Sequence, residues 1–164
     1  MIARAKAPEG SLSGAVFERK MFVKKLQVLI VDGQGGGIGR QLTEAILKAQ
    51  VDCQITAVGA NAAATAAMLK AGAHQGATGE NAVVVCARDA DVIMGPVGIA
   101  IADSLLGEVT PRMARAIGKS GAVKLLLPVN HCKNIIVGVE DLNLKKLTAQ
   151  AIRHLQGLTE EGKI

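Results

Sequence analysis

The apolar run Val28-Leu29-Ile30-Val31 passes directly into Asp32-Gly33-Gln34-Gly35-Gly36-Gly37-Ile38-Gly39. A short run rich in β-branched residues reads as a buried strand. The glycines at 33, 35, 36, 37 and 39 permit a tight turn, and the helical spacing of Ile38, Leu42, Ala45, Ile46 and Ala49 starts inside it. In that order, strand, turn and helix point unpaired backbone N–H groups and the positive end of the helix dipole at an anion. The segment therefore confines the chain to a strand–loop–helix unit and marks where a phosphate group would sit. The competing reading is a purely structural turn with close strand–helix packing.

The rest of the chain repeats the alternation. Strands are expected at Leu26–Val31, Cys53–Val58, Asp91–Gly95, Lys124–Leu127 and Ile135–Val139. Helices are expected at Gly37–Ala49, at Ala62–Lys70 behind an Asn61 cap, at 79–88 behind a Thr78 cap, and over the apolar stretch Val97–Leu106. Another starts at Thr110-Pro111, with Thr as cap and Pro in the first turn. The last opens at Asp141 or Asn143, with Leu144, Leu147, Ala151 and Leu155 on one face. Residues 73–79 read as a loop carrying His74 and Thr78. Strands alternating with helices predict an α/β domain: a Rossmann-like three-layer sandwich around a mostly parallel sheet of about five strands. Ligands of such sheets bind beyond the carboxyl ends of the strands. That rule gathers the glycine loop with Gly59–Asn61, Thr78–Asn81, Gly95–Gly98 and Pro128–Cys132.

Charge excludes some functions. The net +5 is uneven: residues 1–25 carry six basic and two acidic side chains, and the other 139 residues carry 13 and 12. The body is nearly neutral and has no Trp or Tyr to stack on bases, which argues against nucleic acid as a partner. No apolar run approaches the ~18 residues of a membrane span. Residues 1–24 read as a disordered leader without a secretory h-region, 25–157 as one domain and 158–164 as a tail; Met21 is an alternative start. Cys53, Cys86 and Cys132 lack metal-type spacing and read as reduced thiols of a cytoplasmic protein with no metal site.

Spacing narrows the chemistry of the loop. A P-loop would need Gly at 34 and Lys-Ser/Thr at 40–41, where this chain has Gln34 and Arg40-Gln41. Strict G-x-G-x-x-G fails as well. Gly33, Gly37 and Gly39 fit G-x-x-x-G-x-G, which resembles the cofactor loop of short-chain dehydrogenases. The Tyr-x-x-x-Lys pair of that family has no counterpart, because the chain lacks tyrosine. No acidic residue ends the second strand to hold a ribose, and no Arg follows to favour a 2′-phosphate. NAD and NADP stay open as cofactors without their usual selectors.

Other side chains have two readings each. Asp32 either ties loop N–H groups or meets a cation or substrate hydroxyl. Asn61 caps a helix or touches a ribose. Thr78 and Asn81 cap the next helix or line a second wall, with Gly95 and Pro96 as the floor. Asp103, in an apolar stretch, requires a partner or a cleft. His131-Cys132 is a weak acid–nucleophile pair without an orienting third group. His74 and His154 read as surface residues.

From Lys25 to Leu155 the chain resembles an uncharacterised family of short bacterial proteins, number thirty-eight forty-two in the series of domains of unknown function. The resemblance rests on 31–39, Ala-Thr-Ala-Ala-Met-Leu-Lys-Ala-Gly-Ala at 64–73, Ala-Thr-Gly-Glu-Asn-Ala at 77–82, Gly-Pro-Val-Gly-Ile at 95–99 and Asp-Ser-Leu-Leu-Gly-Glu-Val-Thr-Pro at 103–111. It implies a Rossmann-like domain and supplies no catalytic residues. The residues thus point to a nucleotide, dinucleotide or other phosphorylated metabolite held by Asp32, Gly33, Gln34, Gly35, Gly36, Gly37, Ile38 and Gly39. The alternatives are an oxidoreductase-like or transferase-like enzyme using that ligand, with Asp32, Asp103 or His131 moving a proton, and an assembly protein with a vestigial site. A homodimer or higher homo-oligomer suits all three, because so apolar a chain has surface to cover.

Overall fold

The computed structural model describes residues 25–129, 134–139 and 143–160. Its elements are β1 (Leu26–Asp32), α1 (Gly37–Lys48), β2 (Cys53–Gly59), α2 (Ala62–Lys70), β3 (Gln75–Thr78), α3 (Glu80–Asp89), β4 (Val92–Pro96), a 3₁₀ turn (Val97–Ala100), α4 (Pro111–Lys119), β5 (Val123–Leu127) and α5 (Leu144–Glu160). The five strands form one sheet in the order β3-β2-β1-β4-β5, and every pairing is parallel. This is a Rossmann-like arrangement, with the strand order reversing between β1 and β4.

Side-chain alternation along β1 divides the core. Val28 and Ile30 face Leu42 and Ile46 of α1, Met68 of α2 and Leu147, Ala151 and Leu155 of α5. Leu29 and Val31 face the opposite layer, with Val83 and Ala87 of α3 and Met113 and Ile117 of α4. Because both faces are covered, β1 and β4 are apolar at nearly every position. Burying each of these Leu, Ile, Val or Met side chains contributes about 1.5–3 kcal/mol.

Local signals explain most boundaries. The Asn61 side chain accepts the Ala64 N–H at the start of α2, and the Thr110 hydroxyl accepts the Met113 N–H at the start of α4. The Asn143 side chain accepts the Lys146 N–H in the first turn of α5. That helix continues to Glu160, three residues beyond the domain end expected at 157.

Four expectations are corrected. The loop at 73–79 contains β3, an exposed edge strand with no apolar pattern to announce it. It is started by His74: its N–H donates to the Ile55 carbonyl and its Nδ1 accepts the Ile55 N–H at 2.9 Å. The cap of α3 is Gly79, at φ 94°, and Thr78 instead bonds the Thr65 hydroxyl at 2.7 Å. Val97–Leu106 is no helix beyond its 3₁₀ turn. The Ser104 hydroxyl donates to the Gly98 carbonyl, and Asp103, Leu105 and Leu106 all take left-handed backbone angles. Such a hydroxyl bond offers the backbone an alternative to the helical ladder. Asp103 is exposed on this turn and so needs no buried partner. Finally, residues 135–139 are irregular, with Ile135 86% and Val137 92% exposed. The fifth strand of the sheet is therefore β3. Residues 1–24, His131, Cys132, Asp141 and residues 161–164 lie outside the described residues.

Candidate functional site

The carboxyl end of β1 delivers Asp32, only 4% exposed, to the base of the glycine turn. Its Oδ1 accepts the Gly33 N–H at 2.8 Å and its Oδ2 the Gly39 N–H at 2.7 Å. One carboxylate thus closes the turn on itself and satisfies an orphan donor of the first turn of α1. Burial pushes the Asp32 carboxyl above its ordinary value; the N–H groups of Gly39, Gly33 and Ile38 oppose this, and the charge of Glu108 adds to it. Gly36 closes the turn from the other end. Its N–H donates to the Gly33 carbonyl at 2.9 Å, and its φ of 68° is left-handed.

The five glycines do different work. A Cβ on Gly36 would lie 2.7 Å from the Ala64 backbone, and one on Gly33 would lie 2.6 Å from Glu108 Oε2. A Cβ on Gly39 would strike Met68. These three are glycine because of the packing around them. At Gly35 and Gly37 a Cβ would have nothing within 4 Å, and neither residue takes a left-handed backbone angle. Among the described residues, neither of their N–H groups has a hydrogen-bond acceptor.

Both open glycines border a cavity of about 240 Å³. It lies where the sheet order reverses, between the ends of β1 and β4, the position at which ligands bind to open α/β sheets. Asp32, Gly33, Gln34, Gly35, Gly37 and Ile38 line one side, with Gln41 one turn into α1. Pro96, Val97, Gly98, Leu105, Val129, Asn134 and Leu144 line the rest. No Lys or Arg is among these residues. An anion here would meet backbone N–H groups, the α1 dipole and amide side chains.

The other predicted site residues are placed elsewhere. Gly36 caps α1 and Gly39 lies in its first turn. Asn61 lies at the end of β2, where its Nδ2 donates to the Gln34 carbonyl at 2.9 Å. Thr78 and Asn81 lie at the β3–α3 junction, and Gly95 is within β4. None of these six borders the cavity. Glu108 is the residue that the sequence did not announce. Its Oε2 accepts the Gln34 N–H at 2.6 Å, and both of its oxygens lie 3.1 Å from Asn61 Nδ2. The two bonds to Gln34 hold that residue at a φ of 49°, a left-handed value uncommon outside glycine. Among the described residues there is no cluster of three or more His, Cys, Asp or Glu fit to hold a metal, and no helix is long and apolar enough to cross a membrane.

Sheet order, glycine turn and switch-point cavity together define a Rossmann-like α/β protein. The family model described as "Domain of unknown function (DUF3842)" matches residues 27–160. The chain belongs to that family. No protein with a curated description matches it. Among solved structures it is similar to a dodecameric FMN-dependent UbiX-like decarboxylase from Escherichia coli O157:H7, at 14% identity and a TM-score of 0.35, covering 82% of this chain and 94% of that one.

Proposed function

We propose that the chain binds a phosphorylated metabolite of the nucleotide type, with its phosphate on the N–H groups of Gly35 and Gly37. One observation carries this reading. Two glycines that packing does not require border the cavity, with their N–H groups unpartnered among the described residues and the methyl positions above them empty. A ligand that approaches the backbone closely accounts for both features. Asp32 serves as the orienting group of the loop, since both its oxygens are engaged by backbone N–H groups. Gln34, Gln41 and Asn134 supply polar contacts.

A thermal-shift series over nucleotides, nucleotide cofactors and sugar phosphates tests the proposal. A ligand at a hundred times its dissociation constant adds about 2.7 kcal/mol, a shift of several degrees for a domain of this size. Gly35→Ala and Gly37→Ala should remove the shift while leaving the unliganded melting temperature nearly unchanged. A shift that survives in both variants overturns the assignment.

We also propose that the chain forms a homo-oligomer. Leu106 is 95% exposed and follows Leu105 of the cavity wall; Ile135, almost as exposed, follows Asn134 of the same wall. Apolar side chains so placed favour a contact beside the site. Sedimentation of the wild type against Leu106→Ser and Ile135→Ser would show a loss of mass in the variants. A wild-type monomer at all concentrations overturns it.

A further inference from the structure

A dinucleotide spread over a switch point places one nucleoside on the β4 side of the glycine loop and the other toward the carboxyl end of β2, where an acidic residue accepts a ribose hydroxyl. The two sides differ sharply here. The β4 side is the open cavity. The β2 side is filled by a side chain from a distant turn.

That side chain is Glu108. Its carboxylate takes the Gln34 N–H at 2.6 Å and lies 3.1 Å from Asn61 Nδ2, which also donates to the Gln34 carbonyl at 2.9 Å. It is seated close against the loop, since a methyl on Gly33 would fall 2.6 Å from Glu108 Oε2 and 2.9 Å from Leu105 Cδ1. The arrangement is self-satisfied: the carboxylate has backbone and amide donors, and both backbone groups of Gln34 are used. A second phosphate arriving on this side would lose the Gln34 N–H to Glu108 and meet a like charge at short range. A nucleoside would have to displace Glu108 and leave its donors unpaired.

We propose that Glu108 is a specificity-determining residue that closes the β2 half of the site, so that the loop accepts a ligand with one phosphate group and at most one nucleoside and rejects dinucleotides. The inference rests on the phosphate-binding reading of the loop and narrows its ligand class to mononucleotides and sugar phosphates.

Calorimetric titration of the full chain tests it with AMP, flavin mononucleotide, ribose 5-phosphate and inorganic phosphate on one side and NAD and flavin adenine dinucleotide on the other. In the wild type at least one single-phosphate probe binds at least about tenfold tighter than either dinucleotide. Glu108→Ala raises dinucleotide affinity by about tenfold, whereas Glu108→Gln, which sheds the charge but keeps the bulk and one acceptor oxygen, gives a smaller gain. Glu108→Asp withdraws the carboxylate by one methylene and gives a smaller gain, which maintains the test if Glu108→Ala does not fold. Dinucleotides that bind the wild type as tightly as the single-phosphate probes, or rejection that persists in both shortened variants, overturn the role of Glu108 and leave the phosphate site standing. Failure of all six probes to bind the wild type overturns the phosphate site itself, and this inference with it.

Discussion

Asp32 Oδ2 lies 2.7 Å from the Gly39 amide nitrogen, so the last residue of β1 holds the first turn of α1 in place. The same carboxylate holds the Gly33 N–H through its other oxygen. Asp32→Asn replaces one acceptor by a donor that faces an N–H, and Asp32→Ala leaves both N–H groups buried without it. Each variant should lose about 1–3 kcal/mol, read from urea unfolding. A loss below about 0.5 kcal/mol would contradict this account of the loop.

Asp32 also sets a pH dependence. Burial raises its carboxyl above the 3.8 of an unperturbed side chain. A folded value above the unfolded one means that the folded state binds the proton more tightly. The stabilisation from this group is complete below about 3.8 and is lost as pH rises through the raised value. The difference in unfolding free energy between wild type and Asp32→Asn should therefore shrink as pH rises across that interval and stay constant above it. A difference that grows with pH would reverse the assignment of burial as the leading cause.

The glycines of the loop should separate into two groups by stability. Gly36→Ala forces a methyl into the Ala64 backbone at a left-handed φ and should cost at least about 2 kcal/mol. Gly35→Ala and Gly37→Ala meet empty space and should fall within about 1 kcal/mol of wild type in either direction. Chemical denaturation of the three single variants decides it.

The junction between α3 and α4 depends on Thr110. Its hydroxyl donates to Glu80 Oε2 at 2.6 Å and accepts the Met113 N–H at 3.2 Å. Arg112 reaches the other Glu80 oxygen at 3.2 Å from an exposed position. Thr110→Ala should destabilise by about 0.5–2 kcal/mol, and Arg112→Ala by no more than about 1 kcal/mol. A larger loss for Arg112→Ala than for Thr110→Ala would show that the ion pair, rather than the cap, joins these helices.

Cys53 is pushed up to about 11 by burial and by the nearby Asp52 charge, with Lys25 opposing. Burial raises the Cys86 thiol as well. At pH 8 the thiolate of Cys53 is about a thousandth of the total, so alkylation of the folded protein there should be far slower than in denaturant. Mass spectrometry after timed iodoacetamide treatment measures this.

What the sequence revealed follows from the range of the interactions. β1, α1, β2 and α2 were readable because each is defined by its own residues: an apolar run, a helical spacing, the Asn61 cap. β3 was not, because Gln75-Gly76-Ala77-Thr78 has no apolar pattern and becomes a strand only by pairing with β2. Val97–Leu106 misled for the opposite reason: its composition is helical in character, but bonds to Gly98 and the left-handed turn at 103–107 prevail. At the site, the glycine loop was visible in the chain itself. The Glu108 contact was invisible, since it joins residues 74 positions apart and no local spacing encodes it.

The empty space above Gly35 and Gly37 has a consequence for anyone surveying substitutions across this chain. A library sorted for solubility would score those two positions as permissive, because the fold asks nothing of them. If a phosphate rests on their N–H groups, as proposed, the same library sorted for survival of a host that needs the protein would find them intolerant. The gap between the two scores would then measure, one position at a time, what the proposed phosphate contact demands beyond the fold.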